Sequence, residues 1–314
     1  MEEVSPSFPK VSVICLCYNQ AAFVEKSVQS VLDQSYPNVE IIIVNDASTD
    51  PSSATIKRLI EKHPDISFLD LSENIGNCKA FNLGLAQATG KYIIDLACDD
   101  QLMPERIEKQ VQAFEQLPDD YGILFSDACY ISENGDHLGD HFSRYTPARG
   151  DVYEELVRRY FIAPPTMMIR KTVLDELGGY DESLAYEDFD FWVRSARNWK
   201  YDFVDEPLTR IRKTSGSLSS KFHVRDSPLI TSTLEVCKKI KALNQTKEED
   251  AALAQRIKYE LKIAGLTGSR PVAQQFYELL KTIDSPDLAS GCWLLFSQLR
   301  WNVFPLINVI LRRY

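Results

Sequence analysis

Two neighbouring carboxylates, Asp99 and Asp100, follow an apolar run from Lys91 to Ala97 that reads as a buried strand. Hard oxygen ligands of this kind suit Mg²⁺ or Mn²⁺, ions that bind through one or two carboxylates plus substrate phosphates. In extended chain, neighbouring side chains point to opposite faces, so one acid takes the ion and the other a different part of the ligand. The same residues also suit a turn and N-cap ahead of a helix opening at Pro104. A second cluster, Val44-Asn45-Asp46-Ala47-Ser48-Thr49-Asp50, ends another strand with side chains able to accept from a base or sugar. There Asp50-Pro51 has the form of an N-cap followed by proline at the first helical position. A third, Glu187-Asp188-Phe189-Asp190-Phe191-Trp192, sets acids beside aromatics. A carboxylate near aromatic walls can act as a general base, its pKa raised by desolvation. The same residues equally suit a solvated helix start with Phe191 and Trp192 in the core.

The surrounding pattern says which elements carry these clusters. Val11 to Leu16 and Glu40 to Val44 are short β-branched runs, and Val24, Val28, Val31 and Leu32 form a helical stripe between them. Ile56, Leu59 and Ile60 give a second helix its apolar face. Ile66 to Leu71 reads as a strand, about Cys78 to Ala88 as a helix, and Lys91 to Ala97 as the next strand. The helix from Pro104 carries Ile107, Val111 and Phe114, and Tyr121 to Ile131 returns to strand. Repeated βα units predict a mainly parallel sheet covered by helices, with ligands outside the carboxyl ends of the strands. Tyr18-Asn19, Asn45-Asp46, Asn74 and Asp99-Asp100 are the residues that follow those ends. Gly135 to about Arg149 reads as a loop, Asp151 to Phe161 as helix, and Ile162 to Arg170 as a turn entering a strand. Lys171 to Leu177 reads as a helix ended by Gly178-Gly179. From about residue 225 onward the composition is helical, interrupted at Gly265 to Pro271.

Composition narrows the function. In 314 residues, 35 Lys+Arg against 45 Asp+Glu give a net charge of −10, which argues against a nucleic-acid partner, since phosphates need a basic face. An anionic substrate would need a metal ion or local donors to offset repulsion. Seven scattered cysteines, none in a CxxC pair, read as buried free thiols in a reducing compartment rather than a disulfide framework or a zinc site. The opening MEEVSPSFPK is acidic where a signal peptide would be basic and then apolar, and no uninterrupted apolar stretch reaches the roughly 20 residues of a spanning helix. The expectation is a cytoplasmic protein, soluble or peripheral at the inner membrane face.

The order and spacing of the blocks carry more than any one of them. Lys10-Val-Ser-Val-Ile-Cys-Leu-Cys-Tyr-Asn19, Ser30-Val-Leu-Asp-Gln-Ser-Tyr-Pro-Asn38 and Glu40-Ile-Ile-Ile-Val-Asn-Asp-Ala-Ser-Thr-Asp50 resemble the opening of family 2 glycosyltransferases. The resemblance continues through Asn74-Ile-Gly76, Asn82-Leu-Gly84, Ala88-Thr-Gly-Lys-Tyr-Ile93, Asp99-Asp100-Gln-Leu-Met-Pro104, Gly178-Gly-Tyr-Asp-Glu182 and Glu187-Asp188-Phe-Asp190, covering about residues 9 to 220. It implies a GT-A fold over residues 1–224, with a nucleotide-binding half at about 9–132 and an acceptor half at about 133–224, followed by a helical region at 225–314. It implies inverting transfer of a sugar from a nucleoside diphosphate sugar, with UDP-sugars the expected donors, to a glycan, lipid-linked or other hydroxyl acceptor, assisted by Mn²⁺ or Mg²⁺. By the motif matches, Tyr18, Asn19, Asp46, Asn74 and Asp99 serve the nucleotide-sugar, Asp100 and Asp99 the metal, and Asp188 is the catalytic base.

Three positions depart from the family pattern. Ala97 stands where the DxD motif usually has Asp, Phe81 where many members carry an Arg, and Thr214 where a metal-binding His is often found. Arg212 and Lys213 are the cations that can supply positive charge instead. A non-catalytic nucleotide-sugar or glycan-binding homologue is the alternative that these departures leave open. A nucleotidyltransferase would bring a glycine-rich basic loop after the first strand, and a dinucleotide-dependent oxidoreductase a GxGxxG, whereas the chain has Cys17-Tyr-Asn-Gln20. Leu288 to Tyr314, rich in Trp and Leu and ending Leu311-Arg312-Arg313-Tyr314, suits packing on the catalytic domain or a second subunit ahead of a membrane interface.

Overall fold

The computed structural model describes residues 8–214, 221–299 and 301–303. The chain separates into two compact units. Unit 1 is Met1–Val152, Phe161–Ser183 and Arg194–Thr214; unit 2 is Tyr153–Tyr160, Leu184–Val193 and Ser215–Tyr314.

In chain order, β1 (Val11–Cys17), α1 (Val24–Leu32), β2 (Val39–Asn45), α2 (Ser52–Lys62), β3 (Ser67–Asp70), α3 (Asn77–Leu85) and β4 (Tyr92–Ala97) open unit 1. There follow β5 (Gln101–Leu102), α4 (Arg106–Phe114), β6 (Tyr121–Ile131) and β7 (His137–Asp140). After α5 (Tyr153–Arg158), which belongs to unit 2, come β8 (Met168–Arg170) and α6 (Lys171–Leu177). Helix α7 (Asp188–Ser195) begins in unit 2, and β9 (Lys200–Arg212) completes the sheet of unit 1. Unit 2 then continues as α8 (Pro228–Leu243), α9 (Lys247–Thr267), α10 (Arg270–Lys281) and α11 (Leu288–Ser297).

Among the described residues, nine strands form one sheet in the order β3-β2-β1-β4-β8-β6-β9-β5, with β7 paired to β6. The long ladders are parallel: β1 with β2 and β4, β2 with β3, and β6 with β9. The antiparallel pairings, β4–β8, β6–β8, β6–β7 and β5–β9, are two or three residues long. Every residue of β1 is buried, as its unbroken apolar run requires of a strand covered on both faces. Val24, Val28 and Val31 of α1 join Ile56 and Leu59 of α2 and Ile107, Val111 and Phe114 of α4 in the core on the sheet. These are the stripes that the helical spacing picks out.

Several local expectations change. The span from Gly135 to Arg149 is not all loop, because β7 lies within it as an edge strand. The longest strand, β9, had no clear signal, since Asp202, Asp205, Glu206 and Pro207 interrupt its apolar alternation. The helix expected over Asp151 to Phe161 is confined to α5. Helix α2 starts at Ser52, one residue beyond Pro51, but Oδ1 of Asp50 still caps it by accepting the Ser52 N–H at 3.0 Å. The break expected at Gly265 to Pro271 narrows to Gly268 and Ser269, where Gly268 closes α9 at φ 69°, a left-handed conformation that suits glycine.

Unit 2 is helical among its described residues. Helix α9 runs through its centre and buries Leu253, Ile257, Leu261 and Ala264, while α8 contributes Leu234, Cys237 and Ile240, and α10 contributes Phe276 and Leu280. Helix α11 is inverted: it buries Ser290 and Ser297 and leaves Leu288 and Leu295 exposed. Residues 304–314, the second part of the apolar C-terminal segment, lie outside the described residues. No helix among the described residues is long and apolar enough to cross a membrane.

Candidate donor site and candidate base

Unit 1 brings six of the seven expected site residues together past the carboxyl ends of β1, β2, β3 and β4. Tyr18 is exposed just past β1, and Asn19 follows at φ 55°. Asn19 ties this turn to the loop after β2: its Oδ1 accepts the Thr49 N–H at 2.7 Å, and its own N–H donates to Ser48 Oγ at 2.9 Å. Asp46 is buried and joins that loop to the one before α3. Its Oδ1 accepts from the Ile75 N–H at 2.7 Å and its Oδ2 from the Gly76 N–H at 3.0 Å, while Asn74 Nδ2 donates to the Asp46 carbonyl at 3.2 Å. Both Asp46 oxygens thus hold backbone amides, so a base would have to use a second lone pair.

The acid pair sits where β4 ends. Asp100 is 3% exposed, and its Oδ1 accepts the Arg212 N–H at 2.8 Å. Arg212 in turn donates from Nε to the Asp99 carbonyl and from Nη1 to the carbonyls of Ser132 and Glu133, each at 3.0 Å, with its guanidinium 4.6 Å from the Phe23 ring centre. Burial lifts both acids above the ordinary carboxylate range, and the charge of Asp99 lifts Asp100 further; Arg212 and Lys213 work against this. Lys213 stands over the Tyr130 ring with Nζ 4.2 Å from its centre, its pKa lowered by burial. Arg106, fully buried in the first turn of α4, is pushed down to about 9 by burial, and the nearby Asp100 charge opposes that fall. Its Nη1 has no hydrogen-bond partner.

The donor set fits a hard divalent cation. Asp99 and Asp100 offer only oxygen, and their mutual repulsion in a buried setting is what a dication relieves. Gln20, whose amide hydrogen-bonds Asp99, keeps a buried Oε1 without a partner. The expected substitutes are present too, since Arg212 and Lys213 reach the pair where the family pattern would have His. Phe81 supplies no charge: it is fully buried and stacked on Tyr180, with ring centres 4.1 Å apart. Gln20 and Arg106 were missed in the sequence. Gln20 follows a strand end and could have been read there, whereas a helix-start arginine such as Arg106 gives no sign of its burial.

Asn82 anchors the glycine turn that follows α6. Its Nδ2 donates to the Tyr180 carbonyl at 2.9 Å, and its Oδ1 accepts the Tyr180 N–H at 2.9 Å. Gly179, at φ 79°, lies so close that a Cβ would come within 2.4 Å of Asn82 Oδ1.

The seventh expected residue, Asp188, belongs to unit 2. It is half-buried at the start of α7, with Oδ1 shielded from solvent and lacking a hydrogen-bond partner. Burial, and then the charge of Glu187, push its pKa up to about 8. Its neighbour Asp190 is fully buried and accepts from Lys239 Nζ at 2.6 Å, so it is occupied in holding α7 to α8. Beneath Phe189 lies Arg256 of α9, its guanidinium 4.0 Å from the Tyr160 ring centre and 5.1 Å from that of Phe189. Arg256 donates to the Val157 carbonyl at 3.0 Å and pairs with the fully buried Glu260 at 3.3 Å. A carboxyl with raised pKa and an oxygen without a hydrogen-bond partner has the form of a proton acceptor.

Known proteins share this fold and these blocks. The sequence model described as Glycosyl transferase family 2 matches residues 12–178. An uncharacterised glycosyltransferase of Methanocaldococcus jannaschii is 32% identical over 213 residues, 65% of this chain and 71% of that protein. One from Nostoc sp. is 38% identical over 173 residues, 54% of this chain and 53% of that protein. Against two Rickettsia relatives, of R. felis and R. conorii, the chain spans about a third of their length, 34% and 33%. Among solved structures, S. aureus TarS 1-349 in complex with UDP-GlcNAc superposes with a TM-score of 0.73 at 16% identity, over 93% of this chain and 90% of that one. The mannosyltransferase PcManGT from Pyrobaculum calidifontis, in complex with GDP-Man and Mn²⁺, gives 0.60 at 17% identity, over 96% and 90%. The fold is GT-A, and with the sequence model reaching from β1 to the Gly178 turn, the chain belongs to glycosyl transferase family 2.

Proposed function

We propose that the protein is an inverting, metal-assisted glycosyltransferase that moves a sugar from a nucleoside diphosphate sugar to a hydroxyl acceptor, a glycan or a lipid-linked saccharide. The observation that carries the reading is the acid pair at the β4 exit, half-buried Asp99 and buried Asp100, ringed by Arg106, Arg212 and Lys213. A site with carboxylates for a cation and cations for phosphate suits a donor that is itself a metal–diphosphate. UDP-sugars are the donors we expect, a choice supported by the UDP-GlcNAc complex of the similar TarS structure; the GDP-Man complex of PcManGT keeps GDP-sugars as the second class.

In this reading Asp100 and Asp99 would hold Mn²⁺ or Mg²⁺, and the bound ion would supply Lewis-acid stabilisation of the leaving diphosphate. Tyr18 lies against the base or ribose, Asn19 and Asn74 fix the loops that frame it, and Asp46 holds those loops while offering a lone pair to the base. Arg212 and Lys213 take part of the negative charge that the missing third acid and the missing histidine would have met through the metal. Asp188 takes the proton of the acceptor hydroxyl, a role that Asp190 cannot share while it is paired with Lys239. A cytoplasmic location accords with the seven free cysteines. The residues 1–224 form the glycosyltransferase domain in this proposal, with acceptor contacts from 133 onward.

The test is a panel of UDP- and GDP-sugars incubated with the full chain and Mn²⁺, read by release of nucleoside diphosphate. Release from one donor class, lost on chelation and in the Asp99→Asn, Asp100→Asn double variant, supports the reading. Binding of a nucleotide-sugar without turnover in any acceptor mixture would favour a non-catalytic binding protein.

A further inference from the structure

The β6–β7 hairpin of unit 1 carries a second set of metal-ligating atoms, none of them in the donor site. Cys129 and Asp140 face each other across the antiparallel ladder, and Tyr130 pairs with Gly139. The next pair is Ile131 with His137, not with Leu138. Leu138 is thus the extra residue of a β-bulge, and the bulge turns His137 onto the face that carries Ile131, Cys129 and Asp140. In a regular ladder His137 would point to the other face. As a result a thiol, an imidazole nitrogen and a carboxylate oxygen all lie within 4.8 Å of one another, with His137 Nε2 2.9 Å from Asp140 Oδ1.

We propose that Cys129, His137 and Asp140 form a zinc site that clamps the edge strand β7 to β6. Sulfur and imidazole donors select zinc over Mg²⁺ and Mn²⁺, the ions suited to the all-oxygen set of Asp99 and Asp100. Ligand distances of about 2.0–2.3 Å place donor atoms roughly 3.3–3.8 Å apart around one zinc ion, so separations of up to 4.8 Å must shorten to that range while His137 and Asp140 open from 2.9 Å. The His137 side chain is 59% exposed and free to rotate that far. The charged groups around the thiol are Asp140 and Asp127, which favour its protonated form, and Arg210 on β9, which favours the thiolate. A bound dication neutralises the two acids and keeps the thiolate. Three protein ligands leave a fourth position for water. The cysteine spacing in the sequence could not show this, because the ligands come from two strands and one depends on the bulge.

Cobalt(II) is the probe, titrated into the full chain after chelation. One equivalent is expected to give a thiolate-to-cobalt charge-transfer band and the intense visible bands of four-coordinate cobalt, both bleached by zinc; Mn²⁺ gives no such band. Cys129→Ser should abolish the charge transfer. His137→Ala and Asp140→Asn, both at exposed side chains, should each weaken cobalt binding at least about ten-fold. They keep the test decisive if the cysteine variant does not fold. Absence of the band in the wild type, its survival in Cys129→Ser, or unchanged affinity in both other variants overturns the proposal.

Discussion

Oδ1 of Asp100 accepts the backbone N–H of Arg212 at 2.8 Å, which joins the end of β4 to the end of β9. The Arg212 side chain then returns to the Asp99 carbonyl, so one residue holds both acids by two groups, its backbone amide and its charged guanidinium. The acid pair is therefore positioned by a strand some hundred residues further along the chain.

Arg212→Met should remove the hydrogen bonds to the carbonyls of Asp99, Ser132 and Glu133 and leave those acceptors short of partners. The expected loss is about 2–4 kcal/mol of stability, measured by urea unfolding. Lys213→Met keeps those bonds, so it should spare stability and weaken binding of the nucleoside diphosphate. Equal stability of the Arg212 variant and wild type would show that the guanidinium contacts are not maintained in solution.

Asp188 gives a pH signature. With its pKa raised to about 8, it carries a proton at neutral pH, and transfer should rise with pH and level off above that value. Glu187→Gln removes a charge that raises it, so the rise should move to lower pH. Asp188→Asn should cost roughly 10²-fold in transfer and leave donor binding intact. In stability the sign is opposite. An unfolded chain releases this proton near the ordinary ~3.9, so between that pH and about 8 the folded state holds a proton that the unfolded state has lost. Stability should therefore fall as pH climbs through this window, less steeply in Asp188→Asn. A rate profile flat over about pH 6 to 9 would remove Asp188 from the base role.

Gly179→Ala should be costly, because the position combines φ 79° with a Cβ that would lie 2.4 Å from Asn82 Oδ1. The clamp between Asn82 and Tyr180 must give way, and a loss of about 2 kcal/mol or more is expected in thermal or urea unfolding. Gly291→Ala is the control. It sits in α11 with no atom within 4 Å of the new Cβ, and there alanine should be neutral or stabilise by roughly 0.5–1 kcal/mol.

Arg256 and Glu260 form an ion pair with 4% and 0% of their side chains exposed. Arg256→Met leaves Glu260 buried without its partner and should cost about 3–5 kcal/mol. Adding Glu260→Leu should recover most of that. A double variant as unstable as the single would show that the cation acts through the rings of Tyr160 and Phe189 rather than through the pair.

Most of the first half of the sheet was legible because parallel strands buried on both faces leave uninterrupted β-branched runs, and the residues just past each run lie, by topology, at the carboxyl edge of the sheet. Asp46, Asp99 and Asp100 were placed at that edge in this way. The rest was hidden for physical reasons. Strand β9 has acids and a proline within its length, and its place beside β6 is decided by tertiary pairing. Arg106 and Gln20 look like surface residues until the fold buries the whole Arg106 side chain and the Gln20 Oε1. Asp46 was read as a base acceptor, yet its two oxygens already organise a loop, a use that no motif reveals.

The chain passes between its two units at Val152, Tyr160, Ser183, Val193 and Thr214, so neither is made from one continuous stretch. On the ribosome, α5 and the start of α7 emerge well before α8, α9 and α10. The bond from Arg256 to the Val157 carbonyl spans 99 residues, and that from Tyr153 to Asn244 spans 91. Closures over such separations are slow, and until they are made, apolar side chains such as Leu156, Val157 and Phe189 stay open to chaperones or to aggregation. Asp188 is thus synthesised early, well before α9 delivers the Arg256 that packs against the rings of Tyr160 and Phe189.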